Sequence, residues 1–179
     1  ATQVVFNNDG TKMFIVNHGH QKEIDYWSLT TAFDISTATH DGAFPISGQE
    51  IRANSVAFNN DGTRMFVVGA GNMSQHRIHE YSLDTPYDLS STVTHLNTED
   101  LSSSHNYLDG ITFNYNGTKM FIINSNQDRI SQFKLTTPYD ASTLSLEGNF
   151  DVSSHDIQPR EMAFSCLLYT SDAADDRIG

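Results

Sequence analysis

One eleven-residue phrase constrains what this chain can fold into. Phe6–Val16 reads F-N-N-D-G-T-K-M-F-I-V, and the phrase returns at Phe58–Val68 as F-N-N-D-G-T-R-M-F-V-V. It returns again at Phe113–Ile123 as F-N-Y-N-G-T-K-M-F-I-I. A fourth copy opens at Met162-Ala163-Phe164 and then breaks off. The equivalent phenylalanines, Phe6, Phe58, Phe113 and Phe164, stand at intervals of 52, 55 and 51 residues. Self-similarity at a long, nearly fixed period marks an architecture in which no unit buries its apolar face alone and each stacks on the next.

Each unit reads as four strands. The first is short and alternating, with Val4 and Phe6, Val56 and Phe58, or Ile111 and Phe113 on one face. Asn-x-(Asp/Asn)-Gly-Thr follows, a hairpin signal because glycine accepts the positive φ the turn needs. The second strand, M-F-I-V, M-F-V-V or M-F-I-I, is apolar on both faces and therefore has to be covered on both. In the third, Trp27 and Leu29, Tyr81 and Leu83, or Phe133 and Leu135 share a face. A second turn carries Pro86 or Pro138, and Asp34, Asp88 or Asp140 can close it as an Asx turn. The fourth strand is the least regular, and Pro45 within it fits a sheet edge.

Four antiparallel strands per unit, a period of about fifty residues and no helical periodicity predict an all-β chain of the β-propeller class. The F-N-x-D-G-T-K-M-F and T-(P/A)-(F/Y)-D-(I/L/A)-S signatures over residues 1–165 resemble the YVTN-type and WD-like β-propeller repeats common in environmental bacterial and phage sequences. The resemblance implies about three blades of a larger ring, most often of seven. Residues 1–52, 53–107 and 108–158 form blades one to three, and residues 159–165 the first strand of a fourth. Relatives with this fold include binding scaffolds, surface proteins, lactonases and quinoprotein subunits.

The formal charge of −12 argues against nucleic acid and against an anionic membrane surface, since phosphate binding wants a basic face. No apolar run is long enough to span a bilayer. Cys166 is the only cysteine, so an intrachain disulfide is excluded and the redox compartment stays open.

No motif points to a cofactor. Asp9, Asp61 and Asn116 could be taken for calcium ligands, but Asp or Asn sits directly against Gly with no alternating oxygens, the pattern of a hairpin turn. His18-Gly-His20 is a possible metal pair with His76 in the equivalent loop, yet no third ligand stands at a fixed spacing. There is no G-x-S-x-G elbow and no phosphate-cradling glycine loop.

The remaining signal is geometrical. In an antiparallel four-stranded unit, the connections from strand two to three and from strand four to the next unit emerge on one face, and the two repeated turns on the other. The connections on the first face differ from unit to unit, and loops on a rigid frame are where binding concentrates. The candidate binding residues are His18, His20, Arg52, His76, Arg77, His105, Asn106, Tyr107, His155 and Arg160. The expected role is a non-enzymatic recognition or scaffolding module for a protein or carbohydrate ligand, on a cell surface, a secreted protein or a virion. The alternative is part of a lactonase-like or quinoprotein-like enzyme with its site at the channel mouth. Carboxylates, Asn or His at the inner ends of the first strands would mark the alternative, and Asn54, Asp109 and Glu161 are the candidates.

After Phe164 the repeat is lost. Cys166 through Asp175 resembles one reading frame of a transposase-end sequencing adapter, so residues 166–179 are expected to be foreign to the protein and the natural chain to continue into a fourth blade.

Overall fold

Each copy of the repeat forms one four-stranded antiparallel sheet whose strands pair in chain order. A computed structural model describes residues 1–17, 22–48, 52–70 and 75–164. The first sheet holds β1 (Gln3–Phe6), β2 (Lys12–Asn17), β3 (Glu23–Leu29) and β4 (Ala38–Pro45). The second holds β5 (Ala53–Phe58), β6 (Arg64–Ala70), β7 (His76–Leu83) and β8 (Val93–Asp100). The third holds β9 (Gly110–Phe113), β10 (Lys119–Asn124), β11 (Arg129–Leu135) and β12 (Leu144–Asp151). The only helical pieces among the described residues are 3-10 turns at Ile35–Thr37, Ser125–Gln127 and Ala141–Thr143.

The doubly apolar second strand divides its side chains between two cores. Met65 and Val67 of β6 join Phe14, Val16, Ile24 and Tyr81 in a core between the first two sheets. Phe66 and Val68 join Ile78, Ile111, Met120 and Phe133 in a core between the second and third. Full burial contributes roughly 1.5–3 kcal/mol per such side chain, so these cores hold the stack together.

A phenylalanine of each second strand packs against the phenylalanine that opens the repeated phrase of the next unit. The ring centroids are 4.6 Å apart for Phe14 and Phe58, 4.6 Å for Phe66 and Phe113, and 4.8 Å for Phe121 and Phe164. Polar links follow the inner edge, where β1, β5 and β9 neighbour one another. Gln3 Oε1 accepts from the Val56 amide at 2.7 Å, and Ser55 Oγ accepts from the Ile111 amide at 3.2 Å. Glu80 of β7 reaches across the second joint, accepting from the Ala141 amide at 2.9 Å and pairing with Arg64. Burial raises its pKa, against the opposing pull of that amide and of the guanidinium.

The two repeated turns lock onto each other. Gly10, Gly62 and Gly117 have φ of 72°, 71° and 67°, the left-handed region that favours glycine. Each closes a four-residue turn by donating its amide to the carbonyl of Asn7, Asn59 or Asn114, rather than a two-residue hairpin. Asp9, Asp61 and Asn116 accept from the amide and hydroxyl of Thr11, Thr63 and Thr118. Those hydroxyls hold the Asp9 and Asp61 carboxyls below their ordinary pKa. From the second turn, the ring of Phe33, Tyr87 or Tyr139 packs against the glycine, where an added Cβ would come within 2.1–2.6 Å of ring carbons. The same aromatic residue donates its amide to the glycine carbonyl at 2.9–3.0 Å. The expected Asx turns form: Asp34, Asp88 and Asp140 accept from the amides of Ser36, Ser90 and Ser142.

The irregularity of the fourth strand is one bulge at one place. Pairing steps from Tyr26–Gly42 to Trp27–His40, from Glu80–Asn97 to Tyr81–His95, and from Gln132–Gly148 to Phe133–Leu146. The skipped residues are Asp41, Leu96 and Glu147, all on edge strands.

Candidate binding face

The antiparallel order puts the β8–β9 and β10–β11 connections and the residues after β12 on the face opposite the locked turns. His18 and His20 lie outside the described residues, as do residues 166–179. The others divide by burial.

His76 and His105 are buried and build the loops. The His76 amide donates to Ser102 Oγ at 2.9 Å, its carbonyl accepts from the Leu101 amide, and its ring faces Tyr107. His105 is 1% exposed. Its Nδ1 lies 2.9 Å from Ser104 Oγ and its Nε2 2.9 Å from Ser131 Oγ, whose hydroxyl donates to Asn149 Oδ1 at 2.6 Å. That order fits one neutral tautomer, with Nε2–H donating to Ser131 and Nδ1 accepting from Ser104. Burial, together with the Arg129 guanidinium and His76, pushes the His105 pKa down to about 4. These contacts tie the β8–β9 connection to β11 and leave the imidazole out of reach of a ligand.

Arg77 is half-buried and pairs with Asp100 at 3.5 Å. Arg52 and Tyr107 are half-buried, while Asn106 and His155 are exposed, His155 taking a contact from Ser154 Oγ at 2.7 Å. Arg160 is exposed and stands 3.7 Å from Asp109 Oδ1, its other nitrogen 3.5 Å from Gln158.

The inner ends of the first strands carry polar groups, but not the set expected. Counting back from Phe58, Phe113 and Phe164, the equivalents are Asn54, Asp109 and Arg160, so Arg160 and not Glu161 belongs to the series. Asn54 donates to the Leu108 carbonyl at 2.8 Å. Asp109 accepts from the Ser125 amide at 2.9 Å, which anchors the β10–β11 connection. An acid and a base from consecutive units thus meet at the mouth of the inner edge. No group of three or more His, Cys, Asp and Glu side chains among the described residues could hold a metal ion.

Sequence reasoning missed a polar position on the third strand. Asp25, His79 and Ser131 are equivalent, and each has its own solution: Asp25 pairs with His40 at 3.2 Å, His79 Nδ1 contacts Thr98 Oγ1 at 3.0 Å, and Ser131 joins His105 and Asn149. Because the residue changes in every unit, periodicity gave no signal for it.

Three stacked four-stranded sheets with inner first strands and bulged outer strands define the architecture. The chain is three blades of a β-propeller. No protein-family model matches the sequence, and comparison with curated proteins finds no match. Solved structures do match. The blades superpose on a putative 6-phosphogluconolactonase from Bacteroides fragilis with TM-score 0.59 at 12% identity, over 84% of this chain and 38% of that one. A periplasmic gluconolactonase from Pseudomonas aeruginosa gives 0.60 at 12% identity, over 84% and 39%. A protein from Lactobacillus plantarum gives 0.54 at 15% identity, over 84% and 41%. The chain therefore spans about two fifths of the length of these propellers, and at such identities the likeness is one of fold.

Proposed function

We propose that these blades belong to a propeller recognition module that binds a carbohydrate or protein ligand on the face of the non-repeating connections. One contrast supports this reading. On the turn face the same Asn, Asp or Asn, and Thr side chains bond one another in all three blades, Asn Nδ2 donating to Thr Oγ1 and Thr Oγ1 to the Asp or Asn Oδ1. On the other face Arg160, Asn106 and His155 are exposed at positions where the blades differ. A rigid frame with varied exposed polar groups on one rim suits recognition. In a form of the protein carrying its remaining blades, Asn106→Ala and Arg160→Ala should weaken binding on a glycan or protein array by roughly tenfold or more each, with the melting temperature nearly unchanged. Asn116→Ala, on the turn face, should leave binding intact. Loss of binding through Asn116→Ala at unchanged stability would transfer the site to the opposite face.

A second reading has its own support. Asp109 and Arg160 meet at the inner mouth, a carboxylate beside a guanidinium that could move a proton or steady a developing oxyanion. Two of the similar structures bear lactonase names. Hydrolysis of glucono-δ-lactone by the same longer form, abolished by Asp109→Asn, would favour an enzyme over a recognition module. We propose separately, from the adapter resemblance of Cys166–Asp175, that residues 166–179 are foreign to the protein; resequencing the source DNA tests this, and an intact genomic frame encoding them would overturn it.

A further inference from the structure

The third glycine turn differs from the first two by a single side-chain atom. Asn116–Gly117 is the one Asn-Gly step in the sequence, and it stands where the other blades have Asp9–Gly10 and Asp61–Gly62. The bonding does not register the difference. Thr118 donates its amide at 3.2 Å and its hydroxyl at 2.6 Å to Asn116 Oδ1, as Thr11 and Thr63 do to the Oδ1 of Asp9 and Asp61. Both bonds end on an oxygen that a carboxylate also carries. Asn116 is exposed, so water reaches its side chain.

Asparagine is a thermolabile residue, and before glycine it is most open to its own backbone, because no Cβ shields the next amide nitrogen. The folded turn withholds that nitrogen. The Gly117 amide donates to the Asn114 carbonyl at 3.0 Å, while Thr118 holds the Asn116 side chain. The Tyr139 ring covers the glycine so closely that an added Cβ would lie 2.2 Å from it. Tyr139 is itself tied to the turn, its amide donating to the Gly117 carbonyl at 3.0 Å and its hydroxyl to the Tyr115 carbonyl at 2.8 Å. Opening of the turn releases all of these restraints together.

We infer that Asn116 is a site of spontaneous deamidation gated by the opening of this turn, and that refolding keeps the product that matches the other two blades. In the open chain the Gly117 nitrogen attacks Asn116 Cγ. The N–Cγ bond forms, the Cγ–Nδ2 bond breaks, and ammonia leaves with the Gly117 amide proton. Water then opens the cyclic imide. Addition at Cγ breaks the new N–Cγ bond and leaves aspartate, so the third turn becomes Asp-Gly-Thr like the first two. Addition at the main-chain carbonyl instead routes the backbone through Cγ and lengthens it by one carbon. A four-residue turn closed by the bond from Gly117 to Asn114 and capped by Tyr139 does not accommodate that carbon.

Peptide mapping of residue 116 by mass and by isoaspartyl methyltransferase labelling, on the chain held in mildly alkaline buffer with and without urea, tests the inference. Conversion should be at least about tenfold slower without urea, because a reaction of the open state is scaled by how rarely the native turn opens. Equal rates overturn the gating, and an Asn116 that stays intact in urea overturns the site. After dilution from urea, the folded fraction should carry aspartate and the fraction that fails to fold should hold the isoaspartyl chains. Isoaspartate shared evenly between the two overturns the selection. Asn116→Asp reproduces the retained product and should melt at the parent's temperature at neutral pH. Threonine hydroxyls hold the Asp9 and Asp61 carboxyls below their ordinary pKa. The variant should therefore lose stability relative to the parent as pH falls through the carboxylate range. A variant that fails to fold, or that is indifferent to that fall in pH, overturns the equivalence of the three turns.

Discussion

Phe33, Tyr87 and Tyr139 hold φ of 58°, 55° and 54°, which costs a non-glycine residue about 1–3 kcal/mol. Three aromatic residues at one position do not share that conformation by accident. Each is held by ring contact with a glycine and by its amide on the glycine carbonyl, and the Tyr87 hydroxyl adds bonds to the Asn59 and Asn60 carbonyls at 3.1 and 3.0 Å. Gly62→Ala should therefore destabilise the protein by about 2–4 kcal/mol, measured by urea unfolding, since it adds both strain and a clash. A loss below about 1 kcal/mol would mean that the ring yields easily. The need for glycine was legible in the Asp-Gly pair. Its aromatic cover was not, because Tyr87 belongs to another turn. The same holds for His105, which local composition assigned to the open face although Ser131 on β11 draws it inside. With its folded pKa near 4 and below the ordinary value, His105 contributes stability that is present above pH about 6.5 and is lost as pH falls toward 4. Proton NMR should show its ring unchanged from pH 7 to about 5, and a titration near 6.5 would refute the buried neutral ring.

At the level of the strand, one sequence pattern meets three environments. Phe14 and Phe66 are fully buried at internal joints, whereas Phe121 lies on the trailing end. Phe66→Ala should cost about 3–5 kcal/mol, and Phe121→Ala in the monomer well under half of that. Equal losses would mean that the end groove is already closed. Strand count, order and the two-sided burial of the second strand were legible because they follow from period, glycine turns and unbroken apolar runs. The bulges were not, since an extra residue shows only in the pairing of two strands: nothing local in T-H-D-G-A or T-H-L-N-T marks Asp41 or Leu96 as the residue skipped.

For the molecule as a whole, the sequence exposed the architecture and left the candidate binding face largely hidden. Architecture rests on residues that recur, whereas Asp109–Arg160 and the buried histidines arise where blades differ and depend on contacts between units. The bulges have a bearing on what the molecule avoids. A flat, unpaired outer strand would be a template on which a stray strand could add and seed fibrous growth. Here every outer strand is kinked at its middle, and in the first and third blades the kink carries a carboxylate, Asp41 or Glu147. Such a kink works against lateral pairing at the rim of all three blades, with Leu96 the one apolar residue at that position. Asp41→Val with Glu147→Val should therefore bring on thioflavin-positive precipitation under conditions where the unchanged chain stays dissolved.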